Sequence, residues 1–295
     1  MLYMDDAAGA VKGGNASVYR AYDDERLSTV VLKVSDERKG VLREEGCTKS
    51  TEAAPCSSDA MLRSEYDFLT LLAMRGCSCV PKPYALRTVY APRRTEIHER
   101  ACLEMQRLEG VTLAYALEAR EKTLSEFQAA YLAYEVMRAG AQVQRCGVLH
   151  RDVHPGNVVL GSGGVYLIDF GTACTVEAAE RGDALCLTSG YEPPEARVGG
   201  LWSKASDVYA IARTVIRARW GRLFASPEDI PDTVLGRWLA RCVQPEPKMR
   251  FSSCVEAVSC LEAALSKRPL LRWSCSPSLR RAMEWHLVAN HCGIV

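Results

Sequence analysis

The chain has 295 residues, 48% hydrophobic and 25% charged, the balance of a folded protein with a sizeable core rather than a disordered or fibrous one. A formal net charge of +1 provides no field for nucleic acid or an anionic membrane surface, so neither is expected as a partner. No apolar run is long enough to span a bilayer, and the acidic opening Met1–Asp6 is unlike a signal peptide. The 13 cysteines are odd in number and scattered. The tight pair Cys77-Ser78-Cys79 has no second Cys/His pair at zinc spacing, which favours free thiols in a reducing, cytoplasmic setting over a disulfide framework. Cys174 and Cys186 fall in a predicted loop, where they are redox-sensitive thiols or simply small hydrophobes.

Residues 11–21 read as a small-residue turn entering a strand, either an ordinary hairpin turn or a loop whose backbone amides can approach phosphates closely. Thr29–Val34 is a β-branched strand carrying one lysine, Lys33, which is either on a solvated face or paired. Residues 36–58 read as a polar loop or insertion. The spacing of Met61, Glu65, Phe68 and Leu72 predicts a helix over 59–74. Glu65 then lies on the apolar face, where a carboxylate is costly unless paired. Lys33 and Glu65 would satisfy each other; otherwise Glu65 is a rim residue with its carboxylate in water. Residues 80–90 and 101–106 are the next strands.

From residue 110 the pattern turns helical. Ser125 and Gln128 form a capping box, and Gly147 ends the helix they start. That helix delivers the chain to Val148-Leu149-His150-Arg151-Asp152, followed by Asn157. Two apolar runs, 158–160 and 165–168, flank Gly161-Ser162-Gly163-Gly164, the pattern of a hairpin. Asp169 follows. Asp152, Asn157 and Asp169 can therefore converge on one sheet edge. One carboxylate could accept a proton from an attacking hydroxyl, and an amide with a second carboxylate could hold Mg²⁺ on a nucleotide's phosphates. Residues 172–190 read as a loop, with hydroxyls at Thr172, Thr175, Thr188 and Ser189. Ser206-Asp207 opens an amphipathic helix with Val208, Ile211, Ala212, Val215 and Ile216 on one face. Alone, Asp207 is a carboxylate favoured by the helix dipole and Arg250 a surface charge. Ser253 caps a further helix, and Ser276-Pro277 starts a last one in the tail.

His150-Arg151-Asp152 with Asn157 resembles the catalytic loop of protein kinases, and Asp169-Phe170-Gly171 their magnesium loop. The resemblance covers residues 8–265. It implies an α+β bilobal fold: a β-rich lobe over 1–105, a helical lobe over 106–266, and a helical tail over 267–295. ATP and Mg²⁺ are the implied cofactors, and a protein hydroxyl the substrate. Asp152 takes the part of the base, Asn157 and Asp169 the metal ligands, and Lys33, paired with Glu65, the grip on the phosphates. In the nucleotide loop Val11, Gly13 and Ala16 stand at the family's glycine positions, with Val18 after them. Met105 backs an adenine pocket whose base contacts come from the backbone of Gln106 to Leu108. Thr188 to Glu195 resembles the family's Ala-Pro-Glu segment, with Arg250 as the partner of Glu195 and Asp207 as the brace of the catalytic loop. His154 stands where serine/threonine kinases usually carry lysine. Arg151 could pair with a phosphate on the 172–190 segment. Residues 220–231 are short for the additional helix the family often has there. His154-Pro155-Gly156-Asn157 also resembles the loop of aminoglycoside-phosphotransferase-like small-molecule kinases, an alternative reading. The poor glycine loop gives a second alternative, a pseudokinase scaffold.

Overall fold

The computed structural model describes residues 2–4, 11–12, 16–36, 57–93, 96–120, 123–181 and 190–266. The 37–56 loop, Gly13, Thr188, Ser189, Cys186 and the 267–295 tail lie outside them. The N-terminal lobe is an antiparallel sheet of six strands: β1 (Leu2–Met4), β2 (Val11–Lys12), β3 (Ala16–Asp23), β4 (Ser28–Ser35), β5 (Pro83–Arg93) and β6 (Glu96–Gln106). The order is β1-β3-β4-β6-β5, with β2 also on β3. The expected strands are present with longer ends. β1 was not foreseen, because three residues are too few to show alternation; it forms by pairing Leu2 with Asp23 through Met4 with Ala21.

Helix α1 (Ser58–Met74) packs against this sheet. Ser57 caps it, its hydroxyl accepting from the Ala60 amide at 3.1 Å. The buried face carries Met61, Leu62, Glu65, Leu69 and Leu72, while Phe68 is only half-buried. Glu65 is 1% exposed, so it is no rim glutamate.

The rest is mostly helical. β7 (Gly110–Thr112) and α2 (Leu113–Arg120) lead to α3 (Glu126–Arg145), which opens with the expected Ser125–Gln128 capping box. Gly147, at φ +67°, takes the left-handed turn that ends α3. β8 (Val148–Leu149) follows, then the hairpin of β9 (Val158–Gly161) and β10 (Gly164–Leu167), with β7 on its outer edge. Over its described part, 172–181, the 172–190 stretch is less irregular than expected. It opens with β11 (Cys174–Thr175), paired to β8, and a helical turn α4 (Val176–Ala179) whose cap is Thr175. Then come α5 (Pro194–Arg197), α6 (Lys204–Trp220), α7 (Val234–Cys242) and α8 (Cys254–Ser266).

α6 starts two residues before the expected Ser206, because Ser203 and Ser206 form the capping box. Nor is it one-sided: Tyr209, Ala210, Thr214 and Ala218 are buried as well as the predicted face. α3, α7 and α8 all pack on it, so it has almost no solvent side. Between Trp220 and Pro231 the chain makes only a short 3₁₀ turn, Pro227–Asp229. One continuous core runs from Val31, Leu69 and Leu103 through Phe170 to Ile211 and Leu261, joining the two lobes. Among the described residues no helix is long and apolar enough to cross a membrane.

Candidate active site

The register of the β9–β10 hairpin builds the centre of the site. Leu167 pairs with Val158, and the Ile168 amide donates to the Asn157 carbonyl at 3.1 Å. The residues just outside the hairpin, Asn157 and Asp169, are thereby held side by side. Asn157 Nδ2 donates to the Asp152 carbonyl at 3.0 Å and to Asp152 Oδ2 at 3.2 Å. With that amide nitrogen turned to Asp152, the side-chain oxygen of Asn157 faces away from it.

The loop that carries Asp152 is held under strain. Arg151 adopts φ +67° and Asp169 φ +66°, a left-handed conformation that costs a non-glycine residue of order 1 kcal/mol. Asp207 of α6 compensates. Its buried carboxylate accepts the His150 amide at 3.0 Å, the Arg151 amide at 3.1 Å and Trp202 Nε1 at 3.0 Å. It is a brace on the loop rather than a carboxylate placed to suit the helix dipole. Thr214, about two turns further along α6, donates to the Val153 carbonyl at 3.2 Å. Arg151 Nε donates to the Thr172 carbonyl at 2.6 Å, tying the loop to the segment after Gly171. His150 lies 4.5 Å from the Phe170 ring, which is fully buried, and its Nε2 meets the Ile168 carbonyl at 3.0 Å.

Lys33 enters from β4. Its Nζ lies 2.7 Å from Glu65 Oε2 and 3.0 Å from Asp169 Oδ1. One ammonium thus links the sheet, α1 and the start of the Asp169 segment. Burial alone would discharge Lys33, but the Asp169 and Glu65 carboxylates outweigh it and hold its pKa above the ordinary value. Asp169 is pulled down by Lys33 in spite of burial, so it stays anionic. Its side chain keeps 43% of its surface accessible. Glu65, with almost no water, is pushed up to about 7 by burial.

His154 Nδ1 accepts from the Gly156 amide at 3.1 Å. The proton of the neutral ring therefore sits on Nε2, which faces Asp152 Oδ2 at 3.7 Å. Burial holds the His154 pKa below its ordinary value although Asp152 pulls it up. The ring is therefore uncharged at neutral pH.

Of the expected nucleotide contacts, Val18 lies half-buried in β3 opposite Lys33, and Val11 opposite Val18 by its backbone. Gly13 is outside the described residues. Met105 and Leu108 are buried. The Gln106 amide is already taken by the Lys82 carbonyl at 2.8 Å, and its side-chain oxygen accepts from the Lys82 amide at 3.3 Å. At this residue only the carbonyl could serve a base. A carboxylate oxygen of Asp169 and the side-chain oxygen of Asn157 are the hard donors Mg²⁺ prefers, so the residues suit that ion.

The Lys33–Asp169 contact was not expected from the sequence, nor were the parts of Trp202 and Thr214. No local pattern signals them: Lys33–Asp169 and Thr214–Val153 span long sequence separations, and Trp202 reaches Asp207 from five residues away, outside α6. Behind the loop, Arg250 Nη1 and Nη2 grip Glu195 Oε1 and Oε2 at 2.8 and 2.7 Å. Arg250 also donates to the carbonyls of Ala205, Gln244 and Pro245, and its side chain is fully buried. It is no surface charge.

A sequence model of the protein kinase domain matches residues 11–281. Serine/threonine-protein kinase F of Synechocystis is 27% identical over 159 residues, covering 47% of this chain and 32% of that protein. The serine/threonine-protein kinase drp72 of Corynebacterium efficiens is 29% identical over 194 residues, covering 63% and 36%. Serine/threonine-protein kinase PknG of Mycobacterium leprae is 32% identical over 139 residues, covering 43% and 17%. The matches thus span about a third of the first two relatives' length, and less of the third.

Proposed function

Because the chain belongs to the protein kinase family, we propose that it transfers the γ-phosphoryl group of ATP to serine or threonine hydroxyls of protein substrates. The observation that carries this reading is the pair of contacts Lys33–Asp169 and Asn157–Asp152, held beside each other by the β9–β10 hairpin through the Ile168 amide on the Asn157 carbonyl. In the reading, Asp152 orients the attacking hydroxyl and accepts its proton. Asn157 keeps the Asp152 carboxylate aimed by its hydrogen bond at 3.2 Å. Lys33 presents its ammonium to the phosphates, oriented by Glu65. Asp169 and the Asn157 amide oxygen would hold Mg²⁺, which when bound neutralises phosphate charge and aligns the γ-phosphoryl group. His154, uncharged, faces the same carboxylate with Nε2 at 3.7 Å instead of adding a cation.

A peptide substrate is favoured over a small alcohol by the Glu195–Arg250 pair. It pins the Pro193–Glu195 segment to α6 and to the turn before α8, a fixed wall on which an extended chain could lie. Tyr191, on the approach to that wall, stands 6.0 Å ring to ring from His154. The relatives named above are all serine/threonine-protein kinases by name.

The test is purified protein with γ-labelled ATP and Mg²⁺, offered a generic basic protein and, separately, a panel of aminoglycosides and small alcohols. Label on serine or threonine, absent with Asp152→Asn, is expected. Label on the small molecules alone would replace the reading with a small-molecule kinase, and label on nothing with a scaffold.

A further inference from the structure

The turn between α1 and β5 carries a group of thiols that the phosphoryl-transfer site does not use. Cys77 Sγ and Cys79 Sγ are 3.5 Å apart, and Cys146, at the end of α3, is near enough to Cys77 to act on its thiol. Cys79 and Cys146 are buried, whereas Cys77 is half-buried and reaches solvent. Cys77 is therefore the sulfur an oxidant meets, and Cys79 is the sulfur behind it. Closing the pair to a bond of about 2.05 Å needs a movement of about 1.5 Å. Among the described residues no group of three or more His, Cys, Asp or Glu is arranged to hold a metal ion.

We propose that Cys77 and Cys79 are a modification site at which a hydroperoxide closes a reversible disulfide, Cys77 being the attacking sulfur and Cys79 the resolving one. The Cys77 thiolate attacks one peroxide oxygen; an S–O bond forms, the O–O bond breaks, and the leaving hydroxide takes a proton to become water. Cys79 sulfur then attacks Cys77 sulfur; the S–S bond forms, the S–O bond breaks, and the hydroxyl leaves as water with the Cys79 proton. Two thiols lose two electrons and the peroxide gains them. The roles follow from the surroundings. Hydrogen bonds from Cys79, with help from Cys146, bring the Cys77 thiol down to about 7, against burial. Cys79 is pushed far up by its contact with Cys77 and by burial, so it remains the protonated partner.

The site lies where the lobes are fastened. The Cys77 amide donates to the Leu72 carbonyl of α1 at 2.9 Å, and the Cys79 carbonyl accepts from Leu167, two residues before Asp169, at 2.9 Å. The Ala139 carbonyl of α3, 3.4 Å from Cys79 Sγ, is the other acceptor the Cys79 S–H can turn to, and a disulfide removes that donor. Oxidation thus loosens the turn from α3 without touching a residue of the phosphoryl-transfer site.

The experiment treats the full, reduced chain with substoichiometric hydrogen peroxide, alkylates the remaining thiols in denaturant and maps them by peptide mass spectrometry. No activity is read, so the outcome stands apart from the proposed kinase function. A disulfide within 77–79, reversed by dithiothreitol, is expected while Cys242 and Cys254 stay reduced. In Cys79→Ser, which keeps a hydroxyl donor for Ala139, dimedone should trap a sulfenic acid on Cys77. Pairing of Cys77 with Cys146, direct passage of Cys77 to sulfinic acid, or oxidation of Cys77 no faster than of the similarly accessible Cys260 would each overturn the proposal.

Discussion

At the scale of single residues, Asp152 and His154 share one carboxylate–imidazole contact at 3.7 Å, and each has a distinct expected effect. Asp152→Asn keeps the shape and the Asn157 partner but removes the proton acceptor. Its turnover should fall by ~10²–10⁴ with melting unchanged; a variant keeping half the wild-type kcat would take Asp152 out of the mechanism. His154 is neutral at pH 7 because burial opposes its protonation. A full cation about 4 Å from developing charge is worth about 1 kcal/mol in water-like surroundings, or about fivefold in rate. His154→Lys should therefore raise kcat about fivefold at pH 7. No gain in steady-state kinetics would mean the imidazole acts by its Nε2–H and not by lacking charge. The sign for stability follows as well. With its folded pKa lowered, His154 binds a proton more readily when unfolded. Its contribution is therefore present above the ordinary histidine value and is lost as pH falls below it. His154→Gln should flatten the melting-temperature decline below about pH 6.5 in a thermal scan series.

At the scale of elements, α6 is the backbone of the helical lobe and the frame of the site at once. Its N-terminal turns supply Asp207 to the His150–Arg151 amides and the Ala205 carbonyl to Arg250. The bidentate pair of Arg250 with Glu195 is sheltered, with the Arg250 side chain fully buried. Removing one partner of such a pair leaves a charge without compensation and costs roughly 3–5 kcal/mol. Arg250→Leu should lower the melting temperature by roughly 10 °C, and differential scanning calorimetry reads it directly. Arg250→Lys, which keeps a charge but not the two-pronged grip, should fall between. An Arg250→Leu protein that melts like the wild type would mean the pair is not held in solution. For Asp207→Ala the expectation is different. Three donors lose their acceptor and Arg151 loses the restraint on its left-handed backbone. Activity should collapse even where enough folded protein remains to assay.

At the scale of the molecule, the two lobes meet through one continuous core and through Lys33, which bridges Glu65 and Asp169. A nucleotide with its metal, bound between Lys33 and Asp169, would bind the native state alone. At about 100 times Kd it would stabilise the protein by about 2.7 kcal/mol, or roughly 5–10 °C in melting temperature. ATP with Mg²⁺ should give that shift, and ATP with a chelator much less. Asp169→Ala should lose most of the magnesium-dependent part, and Lys33→Met should weaken binding with or without metal. No shift for the wild type at millimolar nucleotide would point to a scaffold.

The sequence by itself carried whatever depends on short range. The capping box at Ser125 and Gln128, the hairpin around Gly161–Gly164, and the spacing that set Glu65 on the apolar face of α1 are all local patterns of period, cap and turn. The order of motifs from Lys33 to Arg250 told which family they resemble. Elsewhere local rules misled. α6 is buried nearly all round because three helices surround it, and no amphipathic pattern in 204–220 records how many neighbours will come. Thr175 serves as the cap of α4, since Cys174 finds Leu149 on β8, a pairing invisible within the 172–190 stretch. Only the tertiary structure decided that Lys33 touches Asp169, that Trp202 and the two loop amides share Asp207, and that the Cys77 and Cys79 sulfurs face each other. These contacts are made by side-chain direction and by residues far apart in the chain, or, for the thiols, by the turn that aims them. A buried ionic or polar group must find its partner wherever the packed core puts one, and packing is settled by the whole chain at once.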